Sequence, residues 1–110
     1  MLKMFCTGNL CGDPRPGEVN GQKVCNARIA AHTPFRDGED YITNFINVTV
    51  WGKQADTLAR LHKGDRVGMT GSFCVRLYND KDGKPMIDIK ASSDTIESLT
   101  PIKKDDDLFT

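Results

Sequence analysis

Apolar and polar residues alternate along most of this chain, the period-two pattern of strands that bury one face. Five stretches carry it: Lys3–Leu10, Lys23–Thr33, Tyr41–Trp51, Arg66–Tyr78 and Met86–Leu99. Turn chemistry divides the chain at fairly even intervals, at Asp13-Pro14 with Pro16-Gly17, Asn20-Gly21, Asp37-Gly38, Gly64-Asp65 and Asp82-Gly83. These residue types tolerate positive φ or preset a turn dihedral. Gly68 and Gly71 fall inside the fourth stretch, where glycine marks a bulge or a sharp bend.

One segment departs from the strand pattern. Across Gln54–His62, Ala55, Leu58, Ala59 and Leu61 fall at helical spacing. Lys63 and Gly64 suit a helix C-terminus, with His62 in the last turn, where positive charge complements the macrodipole. The order of three strands, one short helix and two strands predicts an all-β domain, a five-stranded OB-fold barrel whose helix lies between strands 3 and 4. An open sandwich has a similar strand count, and the lone helix disfavours it. The expected organisation is one barrel over residues 1–99 and a short polar, acidic tail over 100–110.

Composition constrains function only weakly. The chain has 110 residues, enough for one domain, and its 15 basic residues balance 15 acidic ones. Without the block Lys103-Lys104-Asp105-Asp106-Asp107, 13 basic and 12 acidic residues remain. A nucleic-acid partner must therefore be argued from where charges lie, since net charge gives it no support. The four cysteines, Cys6, Cys11, Cys25 and Cys74, show no zinc-ligand spacing and read as reduced thiols. Neither a signal peptide nor a membrane-spanning run is evident, which leads to the expectation of a cytoplasmic protein.

The third strand carries the sharpest signal. Ile46, Val48 and Val50 share one face; Phe45, Asn47, Thr49 and Trp51 share the other. The first set is a core face. The second mixes amide and hydroxyl groups with two large rings, one of them the chain's single Trp. Two arrangements fit: a surface that stacks bases on flat rings, or aromatics packed beneath a loop or a partner subunit. The second strand favours stacking. Cys25, Ala27, Ile29 and Ala31 form its apolar set, and Asn26, Arg28 and His32 lie opposite, beside Phe45 and Trp51 if the two strands pair. Arg28 then meets a phosphate or a base, or is simply a solvated charge. Phe35-Arg36 stands before the Asp37-Gly38 turn, and Tyr78 follows Arg76 ahead of Asp82-Gly83-Lys84. In OB folds these two connections flank the groove for a nucleic-acid strand. Lys3, Lys53, Lys63, Arg76 and Lys84 are candidate backbone-tracking cations.

Over roughly residues 3 to 99 the sequence resembles bacterial and phage single-stranded-DNA-binding proteins. The matching stretches are Gly8-Asn9-Leu10 with Asp13-Pro14, Phe45-Ile46-Asn47-Val48-Thr49-Val50-Trp51-Gly52-Lys53-Gln54-Ala55, Leu61-His62-Lys63-Gly64-Asp65-Arg66-Val67, and Gly71-Ser72-Phe73. The resemblance implies a homotetramer, less often a dimer, with DNA stacked at four aromatic positions, here Phe35, Phe45, Trp51 and Tyr78. Family basic positions fall on Lys3, Lys53, Lys63 and Arg76. The chain departs from the family in following Asp13-Pro14 with Arg15-Pro16-Gly17, where an acidic residue and an arginine are usual. It also lacks the long Gly/Pro/Gln-rich linker. The family's acidic tip ends in a terminal Phe and recruits replication and repair proteins; Asp105, Asp106, Asp107, Leu108 and Phe109 are similar to it, with Thr110 following.

The leading expectation is sequence-independent binding and protection of single-stranded DNA in replication, recombination or repair. The alternative is a replication-accessory OB-fold protein whose aromatic face binds another protein. Catalysis is not expected: His32 and His62 lack a nucleophile or metal-ligand pattern, and Asp105–Asp107 sit in a tail with no scaffold to hold a metal. No cofactor and no metal are expected.

Overall fold

A computed structural model describes residues 1–99, which form six strands and one helix. The strands are β1 (Lys3–Leu10), β2 (Arg15–Val19), β3 (Gln22–Asp37), β4 (Asp40–Trp51), β5 (Arg66–Asn79) and β6 (Pro85–Ser98), with α1 (Lys53–Ala59) between β4 and β5. The sheet runs β1-β5-β6-β4-β3-β2, and β1 also pairs with β3, so five strands close into a ring with β2 as an appended edge. All pairings in the ring are antiparallel except β4–β6, which is parallel from Ile46↔Ile89 to Thr49↔Ser92. This is the five-stranded barrel with a helix between its third and fourth strands that the sequence pattern implied, numbered without the appended strand. The tail residues Asp105, Asp106, Asp107, Leu108 and Phe109 lie outside the described residues.

The core follows the alternation. Cys25, Ala27 and Ile29 of β3 and Ile46, Val48 and Val50 of β4 are buried, together with Val67, Met69 and Phe73 of β5 and Ala91 and Ile96 of β6. Each fully buried aliphatic side chain of this size contributes roughly 1.5–3 kcal/mol by leaving water. Inward and outward residues therefore cannot exchange places without losing the core, which sets the register of the whole sheet. Closing so small a ring brings backbones close together. A Cβ on Gly8 would meet the Ala30 carbonyl oxygen at 2.5 Å, and one on Gly71 would collide with the Ser92 carbonyl. At Thr70/Gly71 the β5–β6 register also shifts, so Gly71 marks the expected corner.

Two local expectations are corrected. The Arg15–Val19 segment, read as turn, is strand β2, paired with β3 from Arg15↔Asn26 to Val19↔Gln22. Pro16 is compatible because β2 is an edge, where a residue lacking an N–H is tolerated. Asn20 (φ 51) and Gly21 (φ 80) make its two-residue turn, the left-handed pair that suits strand twist in a tight hairpin. The helix is shorter than Gln54–His62. It starts at Lys53 and ends at Ala59, with Arg60 as C-cap, so His62 and Lys63 are not in its last turn. Instead the His62 N–H donates to Asp65 Oδ2 and the Lys63 N–H to Asp13 Oδ1, both at 2.8 Å. These side-chain acceptors compete with further helical bonding and turn the chain into β5. Buried Ala55 and Leu58 close one end of the barrel, and Gln54 Oε1 accepts from the Ile96 N–H at 3.1 Å.

Candidate nucleic-acid interface

Outside the core, the same alternation builds a continuous face across β3, β4 and β6. Phe45, Asn47 and Trp51 project outward from β4, on the side opposite buried Ile46, Val48 and Val50. Arg28 of β3 lies opposite Asn47, and Asn26 opposite Thr49, whose hydroxyl donates to Asn26 Oδ1 at 2.8 Å. On the other side of β4, Lys90 of β6 is in register with Asn47. Beyond the barrel, β3–β4 and β5–β6 extend as two exposed hairpin arms. Gly38 (φ 72) turns the first arm and Gly83 (φ 79) the second. Asp80 organises the second turn by accepting from the Asp82 and Lys84 N–H groups, each at 2.9 Å.

All four expected aromatics are solvent-accessible: Phe35 is 69% exposed, Phe45 46%, Tyr78 40% and Trp51 39%. Phe45 and Tyr78 line one cleft together with Arg28, Asn47 and Asp88. Trp51 lines a neighbouring cleft with Thr49, Ser72, Cys74 and Lys90. A third depression, lined by Arg15, Asn26, Asn47, Thr49 and Lys90, lies between them. Phe35 stands apart on the first arm, past the register shift between His32 and Arg36.

Cations are arranged against the rings. The Arg28 guanidinium carbon is 4.7 Å from the Phe45 centroid, Arg36 is 4.7 Å from that of Tyr41, and Arg76 is 5.3 Å from that of Tyr78. Such pairs hold a flat, charged platform ready for a base or a phosphate. Arg36 also donates to the Tyr41 hydroxyl at 2.8 Å. Lys3 is paired with Asp94 at 3.1 Å, next to Ser72 of the Trp51 cleft through the Lys3↔Ser72 register. Lys53 opens the helix, Lys63 lies in the loop after it, and Lys84 is at the tip of the second arm; none of the three lines these clefts.

Several residues of the face were not singled out from sequence. Asp88, Lys90, Tyr41 and Arg15 all line it or pair with its cations. The signal for two of them was present: Ile87-Asp88-Ile89-Lys90-Ala91 alternates, which puts Asp88 and Lys90 on one side of β6. Only the β4–β6 pairing shows that this side continues the aromatic face.

The pattern that defines the Single-strand binding protein family matches residues 1–99. The chain belongs to that family. Single-stranded DNA-binding protein 1 of Clostridium acetobutylicum is 40% identical over 88 residues, covering 76% of this chain and 79% of that protein. The single-stranded DNA-binding protein of Halalkalibacterium halodurans is 29% identical over 102 residues, 90% of this chain but 61% of the relative. The chain thus spans about three-fifths of that second protein's length. Among solved structures, the small single-stranded DNA-binding protein from Streptomyces coelicolor superposes with a TM-score of 0.72 over 88% of this chain and 93% of that one. At 20% identity that likeness speaks for the barrel alone. In this family member the outward rings therefore sit on the expected OB-fold scaffold.

Proposed function

We propose that this chain binds and protects single-stranded DNA without regard to sequence, in replication, recombination or repair, and performs no chemistry on it. Bases stack on Phe45, Trp51 and Tyr78, with Phe35 extending the track along the first arm. Arg28, Arg36 and Arg76 serve both rings and phosphates; Asn47 offers its amide between the rings; Lys3, Lys53, Lys63 and Lys84 follow the backbone farther out. The observation that carries this reading is the placement of Phe35, Phe45, Trp51 and Tyr78 outward on a barrel whose interior is already filled by other apolar residues, Phe73 the one ring among them. Rings so placed, interleaved with amides and guanidinium groups, match the needs of sequence-tolerant stacking. The relatives' names point the same way.

The single Trp supplies the test. Addition of oligo-dT at low salt quenches Trp51 fluorescence, saturating at a site size of ~4–16 nucleotides per barrel. Absence of quenching refutes the proposal and favours a protein-binding role for the face.

Self-association into a homotetramer, or a dimer, belongs to the same proposal. Leu2, Met4, Phe5, Val75, Leu77 and Ile87 are exposed apolar side chains, more than a small domain commonly leaves open without a partner. Among the described residues only Asn9 and Leu10 of β1 pair with β3, so the rest of that edge is open for pairing. Sedimentation with and without dT oligomers of graded length reads assembly and stoichiometry together. Asp105–Phe109 is proposed as a recruiting segment for replication or repair proteins; deletion of residues 105–110 weakens that recruitment and leaves DNA binding intact. We place the protein in the cytoplasm with the nucleoid; no helix among the described residues is long and apolar enough to cross a membrane.

A further inference from the structure

Among the residues that line the Phe45–Tyr78 cleft, one carries charge of the same sign as DNA. Asp88 projects from β6 into it, with its side chain only 13% exposed. Its Oδ1 accepts from Asn47 Nδ2 at 3.0 Å, and its Oδ2 accepts from an Arg76 terminal nitrogen at 3.2 Å. Lys90 Nζ stands 3.9 Å from the same Oδ2. One carboxylate thus gathers two cations and an amide that the proposed function assigns to, or places beside, the DNA track. Its position explains the convergence: Asp88 is in register with Arg76 across β5–β6, and Lys90, two residues on, shares its side of the strand.

Two roles are open to such a carboxylate. It either builds the site by holding Arg76 and Asn47, or it competes with phosphate for the cations. Stability arguments favour competition. The Arg76 and Lys90 side chains are 58% and 62% exposed, and ion pairs with such mobile, hydrated partners hold little structure. Arg76 is also positioned independently by the Tyr78 ring.

We propose that Asp88 is a resident counter-anion of the nucleic-acid face, which a DNA phosphate must displace from Arg76 and Lys90. This rests on the proposed function. It goes further by assigning a carboxylate the task of lowering the electrostatic share of binding, so that affinity depends chiefly on ring stacking. A face of this kind fits a chain with no net charge: it holds single strands by their bases and discriminates against duplex, whose base faces are already stacked on one another.

The test is Asp88→Asn, which keeps shape and the acceptor for Asn47 while removing the charge. Binding of labelled oligo-dT is measured from low to high salt for both chains. Freeing one cation for one further phosphate steepens the log–log salt slope by about 0.7, so the variant's advantage grows about fivefold for each tenfold dilution of salt. The expected result is tighter binding by Asp88→Asn at low salt, convergence with the parent near molar salt, and a larger loss from Arg76→Gln in the Asp88→Asn background than in the parent. An unchanged slope, or weaker binding at every salt, overturns the inference while leaving the proposed function standing. No binding by the parent chain overturns both. If Asp88→Asn does not fold, Asp88→Ser removes the same charge and is read the same way.

Discussion

Replacement of Trp51 by Ala tests the stacking face most directly, and its size follows from the surroundings of the ring. Phe45 and Tyr78 each carry a guanidinium over one face, at 4.7 and 5.3 Å, so a base there shares or displaces a cation. Among the described residues no cation stands over Trp51, and the ring has the largest area of the four. Stacking contributes ~1–3 kcal/mol per base by alanine substitution, and Trp51 belongs in the upper part of that range, about 2–3 kcal/mol, or roughly 30- to 150-fold in Kd. Because the variant lacks its own fluorophore, anisotropy of a labelled dT oligomer is the assay, with thermal melting as the control for folding. The salt slope separates mechanisms: an uncharged ring removes affinity without altering the slope. A loss below about twofold, with melting preserved, refutes the stacking argument. A flattened slope shows that Trp51 acts through neighbouring cations.

Two further outcomes follow from the packing. Cys74 is exposed beside Trp51 and Lys90, whereas Cys6 and Cys25 are buried and desolvation pushes both thiols above the ordinary thiol range. Only a thiolate alkylates readily. Iodoacetamide at neutral pH therefore labels Cys74 well before Cys6 or Cys25, and saturating oligo-dT protects Cys74; mass-spectrometric mapping that finds equal labelling with and without DNA argues against DNA occupying the Trp51 cleft. Gly8→Ala forces a Cβ against the Ala30 carbonyl and the Ile29 side chain, so it destabilises by more than about 2 kcal/mol. A denaturant midpoint within experimental scatter of the parent shows that β1 and β3 separate more easily than the barrel geometry implies.

The degree to which the site was legible varies residue by residue. Phe45, Asn47 and Trp51 could be placed on an outer face because Ile46, Val48 and Val50 between them must be buried, and a strand permits only two faces. Arg28 was legible for the same reason, given antiparallel pairing of its strand with the next. The end of the helix was not: Asp13 and Asp65 capture backbone donors from a loop that sequence spacing reads as another helical turn. Strand β2 was hidden by Pro16-Gly17, residues that signal a turn in isolation but are tolerated on an edge already templated by β3.

Alternation along single strands determines which side of each strand meets water, since burying apolar surface is a local demand that each segment's own residues express. It also determines the turns, through glycine and asparagine at left-handed positions. Which outward sides join into one surface is a different matter. The parallel meeting of β4 with β6 brings Lys90 beside Asn47 and Asp88 within reach of both Asn47 and Arg76, uniting residues 41 positions apart in sequence. Only closure of the barrel decides that, because strand neighbours are chosen by the global hydrogen-bonded arrangement and leave no periodic trace in the segments they join.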